Sequence, residues 1–251
     1  MTNLALLAAA GLLAGAMNAI AGGGSFVSFP AMVAAGLPAV IANASSTVAL
    51  FPGTLASTWA YRRGFAGVAG LNLKVLAPLS AAGGLTGAML LLATPTRLFD
   101  AVIPFLLLLA TLTFALGARA GLLLRRAVRI GPAALPVIQF LISIYGGYFG
   151  GAVGLMMMAA WSLLSAREDL KALAPARVLL ISAANGAAVL WFIVAGAVDW
   201  PGTLTMLAGS VAGGYFGARL GQSLSPAITR GFVVALSATV TVAFFVRAFS
   251  G

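Results

Sequence analysis

The chain has no cysteine and no histidine, and its only acidic residues are Asp100, Glu168, Asp169 and Asp199. Without Cys there are no disulfides and no thiolate metal sites. Without His the commonest metal ligand and general base is missing, and so is haem or quinone chemistry through an axial imidazole. Four carboxylates leave little for hydrolysis or metal binding, so neither enzyme activity nor a cofactor or metal is expected. Charge of either sign is scarce, at 7% of residues, where a soluble domain carries about 25%. What the 251 residues hold instead is apolar: 62% are hydrophobic and the mean hydropathy is +1.10. Such a chain cannot cover its own surface with polar groups, so it reads as an integral membrane protein. The classes left are a transporter, a channel or a structural membrane subunit. The net charge of +10 would suggest nucleic acid in a soluble protein; here the bias of Lys and Arg toward cytoplasmic loops accounts for it, and no nucleic-acid partner is expected.

Crossing the hydrocarbon takes about 20 apolar residues in a helix. Ten apolar segments follow along the chain, at 4–21, 26–36, 40–61, 71–93, 98–118, 133–150, 155–165, 173–197, 202–218 and 227–248. No basic residue precedes the first, so it does not read as a cleaved leader. The pieces 26–36 and 155–165 are too short for an ordinary crossing and either cross with tilt or are re-entrant. Each follows glycines, Gly22-Gly23-Gly24 and Gly154. Broken backbone at membrane depth is tolerated only where protein or a wet cavity surrounds it.

The two halves align. Gly15, Gly22, Asn43 and Gly53 fall 132 positions before Gly147, Gly154, Pro175 and Asn185. Further on, Gly83, Gly84 and Gly87 fall 130 positions before Gly213, Gly214 and Gly217. The reading is a first repeat at 1–118, a basic cytoplasmic linker at 119–132 and a second repeat at 133–251. Arg62, Arg63 and Lys74 follow the third segment, whereas its counterpart is followed only by Asp199; Arg219 and Arg230 lie in the loop between the ninth and tenth, and the linker carries Arg119, Arg125, Arg126 and Arg129. Equivalent loops therefore lie on opposite sides of the membrane, and five segments per half make the repeats inverted. The fold expected is an all-α polytopic membrane protein of two inverted repeats, with about eight full transmembrane helices plus short interrupted ones. Both termini are expected outside the cytoplasmic membrane. Inverted repeats with interrupted helices are the plan of many secondary transporters, whose substrate sits near the midplane.

Candidate site residues cluster at the breaks. Gly22, Gly23, Gly24 and Ser25 can bare backbone N–H groups and begin a helix that attracts an anion; the alternative is a packed turn. No Lys follows, which excludes a nucleotide-binding loop. The second break has one glycine and no Ser. Asn18, Asn43, Ser46 and Thr47 put small polar groups inside apolar segments, to line a site or to bond helices together. Asn43 and Thr47 share a helix face, and Asn43 is the leading candidate of this group. Arg177, in the first helical turn after Pro175, is the sharpest candidate: an intramembrane Arg is a functional hypothesis by default, and its planar fork suits oxyanions. An interfacial anchor paired with Glu168 or Asp169 is the alternative. Asn185 lies mid-segment, in a pocket or between helices. Gly11/Gly15, Gly83/Gly87, Gly147/Gly151, Gly213/Gly217 and Gly217/Gly221 are spaced to let helices approach closely.

These residues resemble the sulfite exporter TauE/SafE family, also called the toluenesulfonate uptake permease family. The resemblance rests on Gly15-Ala-Met-Asn-Ala-Ile-Ala-Gly-Gly-Gly24, Pro30, Ala42-Asn-Ala-Ser-Ser46, Gly83-Gly-Leu-Thr-Gly87, Ala174-Pro-Ala-Arg177, Asn185, Ala197-Val-Asp-Trp200 and Gly213-Gly-Tyr-Phe-Gly-Ala-Arg-Leu-Gly221. It covers nearly the whole chain. The chain departs from it in the missing glycines after Gly154 and in Pro175 where the first half has Asn43. The resemblance implies export or uptake of small sulfur oxyanions and organosulfonates such as sulfite and sulfoacetate. The expectation is a secondary transporter for such an anion, acting by alternating access and more for export than uptake, with an anion channel or a scaffold subunit as alternatives. The expected partners are the anion and the lipid bilayer, with a homodimer left open.

Overall fold

Hydrocarbon offers the backbone no hydrogen-bond partner, so a chain this apolar must satisfy its amides within helices. The computed structural model describes residues 4–21, 23–116, 131–164, 172–221 and 226–249. Apart from one two-residue β-bridge, Val68 with Leu71, all regular structure in them is helical. The helices are α1 (Leu4–Ala21), α2 (Ser25–Ala34), α3 (Ala39–Tyr61), α4 (Leu73–Ala93), α5 (Thr96–Leu116), α6 (Leu135–Tyr148), α7 (Val153–Leu164), α8 (Ala174–Val194), α9 (Trp200–Gly221) and α10 (Pro226–Phe249). The sequence locates all ten. The chain is an all-α, multi-pass membrane protein. Five stretches among the described residues are long and apolar enough to cross a membrane. Outward faces carry large apolar side chains such as Leu190, Val194, Val137 and Phe216, the surface lipid requires. The basic linker and the pair Glu168 and Asp169 lie outside the described residues, as does Gly22.

Local chemistry sets the ends. The Asn72 side chain accepts from the Lys74 amide at 2.9 Å to begin α4, and Asp199 accepts from the Gly202 amide at 2.9 Å to begin α9. Helices α2 and α7 have 10 and 12 residues; at about 1.5 Å per residue they span roughly half of the hydrocarbon. The chain reverses before α2, which packs back along α1. Most of the half-helix is buried: Phe26 meets Phe114 of α5, and Phe29 sits between Phe149 and Phe244.

Packing repeats between the halves. Helix α1 lies on α9 as α6 lies on α4, and α5 lies on α10, where Thr111 and Thr241, 130 positions apart, share a 2.9 Å hydrogen bond. The glycines explain the first two crossings. A Cβ at Gly11, Gly15, Gly209 or Gly213 would land on a carbonyl of the facing helix, and so would one at Gly83, Gly87 or Gly147. One spaced pair departs from this: α6 stops at Tyr148, so Gly151 lies in the following turn against the Phe149 ring rather than on a helix face with Gly147.

Candidate functional site

The two breaks and the middles of α3 and α8 enclose a cavity of about 250 Å³. Five expected site residues line it: Asn18, Ser25, Thr47, Arg177 and Asn185. They reach it from α1, α2, α3 and α8, so no short stretch of sequence contains the site. The floor is the second break: Gly150, Ala152, Val153, Gly154 and Leu155 all border the space.

Arg177 enters from the first turn of α8, where Leu173 accepts from its backbone amide at 3.0 Å. It is half-buried, and its aliphatic stem crosses Gly154, whose added Cβ would stand 3.3 Å from the Arg177 Cδ and 2.9 Å from the Ile181 Cδ1. Among the described residues no carboxylate lines the cavity. Asp199, the acid described within the bundle, is occupied capping α9, and its amide donates to Ser45. The Asn185 Oδ1 is buried with no hydrogen-bond partner among the described residues; turned end for end, that amide offers two N–H donors. The cavity also meets the starts of α2, at Ser25, and α7, at Val153 and Gly154. The first N–H groups of a helix have no partner within it and carry its positive end. One guanidinium, two helix starts and several neutral polar groups therefore border one cavity.

Four expected residues sit elsewhere. Gly23 packs against Phe114 and Val233, and Gly24 against the Ala14 carbonyl, so these glycines let α2 nest against its neighbours. Asn43 is 2% exposed and its amide donates to the Tyr148 carbonyl at 3.0 Å. That carbonyl belongs to the last residue of α6, where helix ends leave acceptors without partners. Ser46 is buried and shares a 2.6 Å hydrogen bond with Ser28 of α2. Of that polar run, Thr47 rather than Asn43 meets the cavity.

Three polar or turn features were missed. Thr54 and Ser57 line the cavity, and the signal was there: Thr47, Leu50, Thr54 and Ser57 recur at helical spacing on one face of α3. The second break begins before Gly154, in 149–152. Gly150 (φ 80°) and Ala152 (φ 60°) make that turn, and Ala152 carries no left-handed signal a sequence could show.

A family model described as Sulfite exporter TauE/SafE matches residues 7–244. The "Probable membrane transporter protein ORF9" of a Sinorhizobium species is 31% identical over 244 residues, covering 95% of this chain and 91% of that protein. The "Probable membrane transporter protein YfcA" of Escherichia coli K12 is 28% identical, covering 92% and 85%. A "Probable membrane transporter protein" of Haemophilus influenzae is 27% identical, covering 95% and 92%. No solved structure matches the chain.

Proposed function

The chain belongs to the sulfite exporter TauE/SafE family of membrane transporters, and from that premise we propose that it is a secondary transporter for a small sulfur-containing anion. Sulfite, sulfoacetate or another organosulfonate is the substrate, and export is the direction. The observation that carries the reading is the cavity itself: Arg177 and the starts of α2 and α7 face a space that no described carboxylate lines.

A sulfonate or sulfite presents oxygens in the arrangement that a guanidinium fork meets with paired N–H donors. Asn18, Ser25 and Asn185 supply neutral donors for the remaining oxygens, while the Thr47 hydroxyl, which donates to the Asn43 carbonyl at 2.9 Å, borders the space as a small polar group. An Arg at the centre of a membrane helix costs about 2.5–3.5 kcal/mol on insertion scales; half-buried Arg177, in the first turn of α8, bears part of that cost, which an apolar residue would avoid. The chain has no His, and of the substrates named only sulfite, a weak acid, can itself take up a proton near neutrality; a sulfonate stays ionised.

The protein sits in the cytoplasmic membrane as two inverted repeats, 1–118 and 133–251, joined by the basic linker 119–132. Its termini face outward, and Arg62, Arg63 and Lys74 mark the cytoplasmic side. Alternating access comes from one repeat rocking against the other around the fixed seat. The test is transport by purified protein in proteoliposomes loaded with sulfite or sulfoacetate. Arg177→Ala is expected to abolish flux while the protein inserts and elutes as the parent does. Parent-like flux in that variant sinks the site; no flux of any sulfur anion by the parent sinks the function.

A further inference from the structure

The face of α3 that borders the cavity does not end there. Thr47, Leu50, Thr54 and Ser57 line the space, and the same helical spacing brings Tyr61, the last residue of α3, onto the middle of that face. Hydrogen bonds to α8 fix what Tyr61 stands opposite. The Ser182 hydroxyl donates to the Thr54 carbonyl at 3.3 Å and meets the Thr58 hydroxyl at 2.5 Å, while Thr58 lies 3.4 Å from the Val178 carbonyl. Just past the helix, a Cβ on Gly64 would stand 2.9 Å from the Pro175 ring. The two helices therefore run antiparallel, and Tyr61 falls across from the stretch Pro175 to Val178. Arg177 lies within that stretch, and the Tyr61 phenol is within electrostatic reach of its guanidinium.

The Tyr61 hydroxyl differs from those before it on the same face. Thr47 donates to the Asn43 carbonyl at 2.9 Å and Ser57 to the Gly53 carbonyl at 3.0 Å, so each short hydroxyl is held by its own helix. A phenol carries its hydroxyl at the end of a rigid ring, clear of the backbone. Tyr61 is 46% exposed, and its hydroxyl makes no hydrogen bond to another described residue. The neighbouring cation is turned the other way. The Arg62 guanidinium lies 4.2 Å over the Trp59 ring and donates to the Trp59 carbonyl at 2.8 Å, and Trp59 is nearly opposite Tyr61's face around the helix.

We infer that Tyr61 is a further substrate-binding residue, at the mouth of the cavity, whose hydroxyl donates to an oxygen of the anion while Arg177 meets its charge. The inference rests on the anion-transport reading above; in the orientation proposed there, this mouth faces the cytoplasm. A hydrogen bond from a hydroxyl to a charged oxygen is short and strong, so the phenol and the guanidinium together hold an oxyanion that either would hold less tightly alone.

The experiment uses Tyr61→Phe, which keeps the ring and removes the hydroxyl, with sulfite as the probe. Transport is followed in proteoliposomes, and binding through the sulfite concentration needed to raise the unfolding temperature of purified protein. Loss of one hydrogen bond to a charged group is expected to raise Km roughly tenfold and to raise that concentration by a similar factor. Without sulfite, the variant should unfold at the parent's temperature. Arg62→Gln, on the far face, should leave Km near the parent's. Parent-like Km and binding in Tyr61→Phe overturn the assignment. A lower unfolding temperature at unchanged Km also overturns it, since the hydroxyl would then brace the fold. So does an equal rise in Km in Arg62→Gln, because the whole helix end would then be at work. If the parent neither binds nor moves sulfite or sulfoacetate, the transport reading has failed instead.

Discussion

The break between Ala21 and Ser25 and the break between Tyr148 and Val153 open the same cavity with different chemistry. The first has a run of glycines and looks like the ligand loop, yet Gly23 and Gly24 are consumed in packing against Phe114, Val233 and the Ala14 carbonyl. Of the described residues in that turn, Ser25 alone reaches the cavity. The second has fewer glycines, yet five consecutive or nearly consecutive residues from Gly150 onward line the space. The breaks are also out of register. Ile20, the counterpart of Ala152, is still inside α1, whereas Ala152 lies in the turn. Helix α7 therefore begins about one turn early relative to α2, and its backbone comes to the site. Glycine at a membrane break thus reports close packing as readily as ligand binding.

Substitutions can separate the two roles. The largest effect is expected from Gly154→Val. Its side chain would displace Ile181 and the stem of Arg177, moving the guanidinium out of the cavity. Transport should fall roughly thirtyfold or more, as when about 2 kcal/mol of binding is lost, and Km for sulfite should rise in proteoliposome assays. Gly24→Val is the matching change at the first break. A Cβ there stands 2.6 Å from a backbone oxygen that cannot swing away, so about 1–3 kcal/mol of stability goes, read as a lower unfolding temperature in detergent. Transport per folded molecule should hold. If Gly24→Val instead spares stability and raises Km, the first break is the ligand loop after all.

Asn43→Ala tests the link between the halves. It strips the Tyr148 carbonyl of its donor and should cost about 1–2 kcal/mol, the penalty of a buried unpaired group; Asn43→Leu, which restores bulk but cannot donate, should not rescue it. The smallest effect belongs to Ala152→Gly. Relief of the left-handed conformation, set against glycine's greater freedom in the unfolded chain, should raise stability by a few tenths to about 1 kcal/mol. Destabilisation of the same size would mean that the turn is not strained.

Most of the fold could be read before the structure. Hydropathy placed ten helices, the half-length of α2 and α7 was visible as short apolar runs, and the 132- and 130-residue shifts picked out the glycines that form the α1–α9 and α6–α4 crossings. The site was legible in part. Arg177 and Asn185 stood out because polar groups in hydrocarbon need a reason, and so did Thr47, in the polar run it shares with Asn43 and Ser46. Asn43 and Ser46 satisfied the same criterion but serve as inter-helix bonds, since a buried donor looks alike in sequence whether it meets a ligand or a carbonyl. Thr54 and Ser57 went unnoticed although they continue the Thr47 stripe along α3.

Composition and periodicity decided what local physics controls: that the chain lives in lipid, where its helices run, and that Arg177 stands near a helix start in a chain almost without acids. Tertiary structure decided what depends on which helices meet. It chose Thr47 over Asn43 by turning one face of α3 inward, and it brought the backbone of the plainer break to the cavity by starting α7 a turn early. It closes α8 on α4, where a Cβ on Gly84 would strike the Ala184 backbone, and leaves the counterpart faces of Gly53 and Gly214 open. Those are consequences of packing between segments far apart in the chain, where small differences select between contact and open space.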